Sequence, residues 1–261
     1  MAQGSNPRVN RPAWVDLASP DPAASRDFYG KLFGWDVAVT DDPQYGGYGI
    51  AHLADGGEDV AGIGPKMDPN APPSWNVYIG TDDAAALGEK VQAAGGKVLM
   101  PAFDVGDMGR MAVFADPSGA VISAWQPGGE GSFRTGEVGT FGWAELNARG
   151  FETARDFYAD VFGWSTTSSP MGEDQPDYHQ FEADGENLLG AMEMNPMVPA
   201  EVPSYWMPYF NVDDVDAAYQ RALGIGASEV VAPSPMPGGH FAIVTDPQGA
   251  MFGLLKVDPA P

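Results

Sequence analysis

Pro12–Trp35 reads PAWVDLASPDPAASRDFYGKLFGW and Phe141–Trp164 reads FGWAELNARGFETARDFYADVFGW. Laid over one another at an offset of 129 residues, the two share nine identities in 24 positions, among them Trp14/Trp143, Asp27/Asp156, Phe28/Phe157, Tyr29/Tyr158 and Gly34-Trp35/Gly163-Trp164. The match continues downstream. Ser74–Asp83 (SWNVYIGTDD) lies over Tyr205–Asp214 (YWMPYFNVDD) at an offset of 131, and Asp116-Pro-Ser-Gly-Ala over Asp246-Pro-Gln-Gly-Ala at 130. Three separated blocks in one register, drifting only by loop insertions, mean that the chain is a duplication.

Each half divides again. Pro12–Ser19 alternates, with Val15 and Leu17 on one face and Trp14, Asp16 and Ala18 on the other, the period of a strand. A helix follows, with Asp21 as N-cap, Pro22 at its first position, an apolar stripe through Ala24, Phe28 and Leu32, and Gly34 as its stop. Three short strands complete the module by about Lys66. Trp75–Thr81, a helix over Asp83–Ala94 and three further strands to Gln126 repeat the plan, and the second half does so with helices near Phe151–Phe162 and Asp214–Leu223. The expected fold is therefore α+β, four βαβββ modules in two tandem domains with curved, barrel-like mixed sheets. The first domain is expected over 11–127 (modules 11–66 and 74–127), a Gly-rich linker over 128–138, and the second domain over 139–257 (modules 139–195 and 203–257). Each Asp-Pro-x-Gly stretch places its residues as a tight turn requires, and is expected to close the last hairpin of its half.

Composition narrows the function. A chain of 261 residues with 44% hydrophobic residues can bury two cores. Thirty-six Asp and Glu against thirteen Lys and Arg leave a net charge of -23, a field that repels phosphate backbones and anionic lipid heads, so neither nucleic acid nor membrane is an expected partner. There is no cysteine, which removes disulfides and thiol chemistry. Met1–Asn10 is polar, with no apolar run suited to export or membrane insertion, and a cytoplasmic location is expected. No nucleophile elbow, phosphate loop or dinucleotide fingerprint is present; Gly62-Ile-Gly64 lacks the helix such a loop needs.

The first-module pattern (a strand, then Asp21, Ser25, Phe28-Tyr29 and Leu32-Phe33-Gly34-Trp35) and the closing Asp-Pro-x-Gly turn resemble the vicinal oxygen chelate superfamily of glyoxalases, bleomycin-resistance proteins and extradiol dioxygenases. The likeness covers Pro12 to Val257. Within it, Trp14–Leu17, Pro101–Asp104 and Gly109–Met111 are similar to a mycobacterial and actinobacterial glyoxalase-like branch, some members of which carry the label hydroxylase. The resemblance implies a divalent metal held at the first strand of each module and at the strand after the Asp-Pro-x-Gly turn. Those places fall on Trp14, Asn76 and Ser123 in the first half and on Trp143, Met207 and Gly253 in the second. Indole offers a metal no lone pair, Met and Gly offer a hard cation nothing useful, and Asn and Ser are weak neutral ligands. No metal and no cofactor is therefore expected. His52, His179 and His240 show no paired spacing and are read as surface or hydrogen-bonded histidines.

If Val15 and Leu17 face the helix, Trp14 and Asp16 face the concave side of the sheet, and so do Trp143 and Glu145. Tyr78, Trp125 and Tyr209 should join them. Such aromatics can simply fill a small barrel, but an acid beside a Trp at equivalent places in both halves asks for a ligand, water or an internal Arg. The expected ligand-binding residues are Trp14, Asp16, Tyr78, Trp125, Trp143, Glu145 and Tyr209, with Asp16 and Glu145 as candidate catalytic groups. Aromatic faces with carboxylates suit flat or cationic organic molecules. The expected function is a metal-independent small-molecule binder that holds or sequesters an aromatic or cationic metabolite or drug. The alternative is an enzyme of the superfamily, a glyoxalase-type lyase, dioxygenase or so-called hydroxylase, using a non-standard metal site or Asp16 or Glu145 as general base. The duplication is expected to give a monomer with an internal pseudo-twofold, and a homodimer is compatible with it.

Overall fold

The computed structural model describes residues 8–129, 133–172 and 176–258; Glu130, Gly131 and Ser132 of the expected linker, and Met1–Pro7 of the polar start, lie outside the described residues. Each expected module is present. The first contains β1 (Pro12–Ser19), α1 (Pro22–Phe33), β2 (Asp36–Val39), β3 (Gly49–His52) and β4 (Asp59–Pro65). The second contains β5 (Ser74–Gly80), α2 (Ala84–Ala93), β6 (Lys97–Val105), β7 (Gly109–Ala115) and β8 (Val121–Pro127). The third contains β9 (Phe141–Ala148), α3 (Phe151–Phe162), β10 (Ser165–Ser169), β11 (Tyr178–Ala183) and β12 (Glu186–Glu193). The fourth contains β13 (Tyr205–Asn211), α4 (Val215–Gly224), β14 (Ser228–Met236), β15 (Gly239–Thr245) and β16 (Met251–Val257). The strands form two mixed eight-stranded sheets, in the orders β2-β3-β4-β1-β5-β8-β7-β6 and β10-β11-β12-β9-β13-β16-β15-β14. Both are open sheets, each with two edge strands, not closed barrels. Among the described residues no helix is long and apolar enough to cross a membrane.

Local chemistry sets the element ends. Asp21 accepts a hydrogen bond from the Ala24 amide at 3.0 Å, Pro22 opens α1, and Gly34 ends it in the left-handed conformation (φ 75°). Asp83 and Asp214 cap α2 and α4 in the same way, whereas α3 starts after Gly150, which has no side chain to cap it, and the Glu193 carboxylate accepts from the Gly150 and Phe151 amides instead. On β1, Val15 and Leu17 are buried while Trp14, Asp16 and Ala18 are half-buried, the alternation the sequence predicts.

The chain packs as two compact units that do not follow the order of the halves. Of the described residues, one takes those within 8–14, 77–129 and 143–206; the other takes those within 15–76, 133–142 and 207–258. In the second unit, Tyr29 and Trp35 of the first module pack with Phe210 and Phe252 of the fourth. Trp75 Nε1 donates to Tyr29 Oη at 2.9 Å, and Tyr29 Oη donates to Asp246 Oδ2 at 2.9 Å. In the first unit, Trp206 Nε1 donates to Tyr158 Oη at 2.7 Å and Tyr158 Oη to Asp116 Oδ2 at 3.0 Å. The acceptor in each relay is the Asp of an Asp-Pro-x-Gly turn. Its other oxygen accepts the turn's own amides, Ser118 and Ala120 in one case, Gln248 and Ala250 in the other. The Gly119 and Gly249 amides bond back to Asp116 and Asp246 at 3.0 Å, so each turn closes its hairpin as expected. Burial pushes both phenols, Tyr29 and Tyr158, well above the ordinary tyrosine range, with the neighbouring aspartates adding to the shift.

Candidate functional site

In the second unit the site is built around Asp16. Its Oδ1 accepts from the Asn76 amide nitrogen at 2.8 Å, and its Oδ2 from the Tyr48 hydroxyl at 3.2 Å. β1 and β4 run parallel with Asp16 opposite Gly62. The bare glycine is what lets Tyr48 lie there, since a Cβ on Gly62 would fall inside its hydroxyl.

In the first unit the equivalent group is Glu145, buried on β9 at 9% exposure and opposite Gly190 of β12. The Asn147 amide nitrogen donates to Glu145 Oε1 at 3.2 Å. The Tyr178 phenol stands near Glu145, whose charge acts on it, and Trp143 Nε1 donates to Tyr178 Oη at 3.0 Å. A Cβ on Gly190 would clash with both the Tyr178 hydroxyl and Trp143 Nε1. Burial, and then the Glu145 charge, hold the Tyr178 phenol far above its usual range; burial and the same charge raise Tyr205.

The remaining expected residues are placed as follows. Trp14 is half-buried at the start of β1, and Trp125 is half-buried on β8 opposite Met111 and Gly80. Tyr78 is buried (4%) and pairs with Ser123. Tyr209 is buried (6%), with its ring where a Gly253 side chain would stand and with Phe241 edge-on at 6.4 Å. Tyr48, Tyr178, Asn147, Gly62 and Gly190 were not among the expected residues. One signal could have found the tyrosines: Tyr48 and Tyr178 are 130 residues apart, inside the drift of the repeat.

The six places where the resemblance puts metal ligands do not fit a divalent ion. Asn76 turns its amide nitrogen to Asp16, Trp143 uses its only nitrogen as a donor to Tyr178, Met207 and Ser123 are each 2% exposed, and the Gly253 position is covered by Tyr209. Among the described residues no group of three or more His, Asp or Glu is arranged to hold a metal ion. His52 lies 3.4 Å from Asp59, His179 stacks on Phe151 at 3.9 Å with Nδ1 2.7 Å from Ser168 Oγ, and His240 is exposed. Desolvation lowers the His179 pKa.

The family model described as the Glyoxalase/Bleomycin resistance protein/Dioxygenase superfamily matches residues 11–123 and 140–254. CFP32 of Mycobacterium tuberculosis (strain CDC 1551 / Oshkosh), provisionally named a glyoxylase, is 41% identical over 268 residues, covering 100% of this chain and 99% of its own. The anthracycline biosynthesis protein DnrV of Streptomyces peucetius is 39% identical over 262 residues, covering 94% of this chain and 93% of its own. Among solved structures, the Mn(II)-bound glyoxalase from Novosphingobium aromaticivorans aligns with a TM-score of 0.65 at 18% identity over 97% of this chain and 89% of its own, a likeness of fold.

Proposed function

Since the chain belongs to the glyoxalase/bleomycin resistance protein/dioxygenase superfamily, we propose that it binds a flat aromatic molecule with cationic character, without a metal, on the faces that carry Asp16 and Glu145. The observation that carries this reading is a hydrogen-bonded carboxylate with a tyrosine beside it in each unit, next to Asn76 or Trp143, two of the places where the resemblance puts metal ligands. Stacking and cation–π attraction favour a flat cation there, and the carboxylate adds charge pairing. The similarity to DnrV, named for anthracycline biosynthesis, supports a polycyclic aromatic ligand. Fluorescence titration of chelator-treated protein with an amino-sugar anthracycline tests the reading. Saturable quenching unaffected by the chelator supports it; binding that needs added metal refutes it.

The glyoxylase name of CFP32 favours a second reading, an enzyme that uses Asp16 or Glu145 as general base. Turnover by metal-stripped protein that is lost in both Asp16→Asn and Glu145→Gln would favour it over plain binding.

A further inference from the structure

The two carboxylates are held by a tyrosine laid over a glycine, an arrangement that hydrophobic periodicity does not reveal. Tyr48 lies over Gly62 and donates to Asp16; Tyr178 lies over Gly190, the register partner of Glu145, where its hydroxyl feels the Glu145 charge. In each case the glycine is the register partner of the acid on the adjoining parallel strand, so the ring crosses directly beside the carboxylate. An amide donates as well, Asn76 at 2.8 Å or Asn147 at 3.2 Å. The phenol and the amide together fix the plane of each carboxylate, which a flexible surface acid lacks.

We propose that Tyr48 and Tyr178 are positioning residues of two duplicated ammonium sites, each presenting an oriented carboxylate to a protonated amine carried on an aromatic frame. This rests on the reading of the faces as ligand-binding surfaces and adds to it the chemical group that is selected. An ionised carboxylate only accepts hydrogen bonds, so the group it recognises is a donor, and a charged donor makes the stronger bond. The orientation of the acid gives that recognition its direction. In the first unit the indole of Trp143 takes part too, because its N–H donates to the Tyr178 hydroxyl.

Two measurements on the intact chain test the proposal and fail separately. The first is a carbon-13 NMR titration of the Asp16 and Glu145 carboxyls in the parent, Tyr48→Phe and Tyr178→Phe. Each variant should raise the pKa of its own acid by about half a unit to one unit, because a bond to the charged form is lost, and leave the other acid unchanged. Asn76 beside Asp16, and Asn147 and Tyr205 beside Glu145, remain in place and serve as internal references. Tyr178→Phe should also speed exchange of the Trp143 indole proton. Unmoved carboxyl titrations in both variants would overturn the positioning role, whatever the ligand.

The second measurement compares affinity for an amino-sugar anthracycline with affinity for its N-acetyl derivative. The parent should prefer the amine by about tenfold or more, the effect of one charge-assisted bond; each Phe variant should lose much of that preference at its own site and keep it at the other, binding the acetylated form as the parent does at both. Undiminished preference in both variants overturns the proposal. A parent that binds neither form refutes the reading of the faces and the ammonium assignment with it, while the NMR titration still decides the tyrosines.

Discussion

The Asp16 and Glu145 clusters do the same thing with different parts. Asp16 takes its amide partner from the neighbouring segment, Asn76 of β5, whereas Glu145 takes it from its own strand, two residues on, at Asn147. Met207 stands in the second half where Asn76 stands in the first, and Ala18 stands in the first half where Asn147 stands in the second. The amide has changed place, and the acid beside the relocated amide is longer by one methylene. The tyrosine and the glycine beneath it are kept in both. What persists is the arrangement of acid, amide and phenol, and this points to a chemical requirement on each carboxylate beyond filling space.

The buried relays give the comparison its firmest ground, because Trp75–Tyr29–Asp246 and Trp206–Tyr158–Asp116 match atom for atom in type. Trp75→Ala and Trp206→Ala should each cost about 3–5 kcal/mol in denaturant unfolding, through the cavity left and the phenol's lost donor. Losses that differ by more than about half of the larger value would show that the two units are not energetically equivalent.

The glycines come next. Gly62→Ala and Gly190→Ala each force a methyl group into a tyrosine hydroxyl, and overpacking of this kind should cost about 1–3 kcal/mol. The two should cost similar amounts, since Asp16 Cβ lies in the way of the one methyl group and Trp143 Nε1 in the way of the other. A thermal melt unchanged in both would mean that the tyrosines move aside freely, and would remove the physical basis for an oriented acid.

A smaller effect belongs to Asp246, whose pKa is raised above the usual carboxylate value, chiefly by burial. A carboxyl raised in the folded state holds its proton better there than in the unfolded chain, so its contribution to stability is present below the unfolded pKa and is lost as pH rises through the folded one. Measured against Asp246→Asn, which cannot titrate, the parent should therefore lose relative stability as pH climbs from about 3.5 to about 7. A difference that stays constant over that range, in denaturant melts at several pH values, would contradict the burial argument.

The sequence carried the fold because its determinants are local and doubled. The alternation of Val15 and Leu17 against Trp14 and Asp16, the Asp21 and Gly34 caps, and the paired Asp-Pro-x-Gly turns each act within a few residues. Alternation along one strand is also what made Asp16 and Glu145 candidates, and the structure leaves Asp16 half-buried and Glu145 buried. The sequence did not reveal Tyr48 and Tyr178, because an aromatic in a short strand ordinarily reads as cross-strand packing, and only the pairing of β1 with β4 and of β9 with β12 sets the glycine beside the acid. Asp116 and Asp246 read as turn formers, which they are. Their second role, accepting from Tyr158 and Tyr29 at separations of 42 and 217 residues, depends on which modules pack together, and no local pattern encodes that.

The central claim, that one acid–amide–phenol site is built twice, is tested most directly by the stoichiometry of anthracycline binding in isothermal calorimetry on chelator-treated protein. The parent should bind two equivalents per chain with like affinity, Asp16→Asn and Glu145→Gln one such equivalent and one about tenfold or more weaker, and the double variant only weakened ones, because each change removes charge at nearly constant shape. A stoichiometry and affinity unchanged in both single variants, for a ligand that the parent binds, would contradict it.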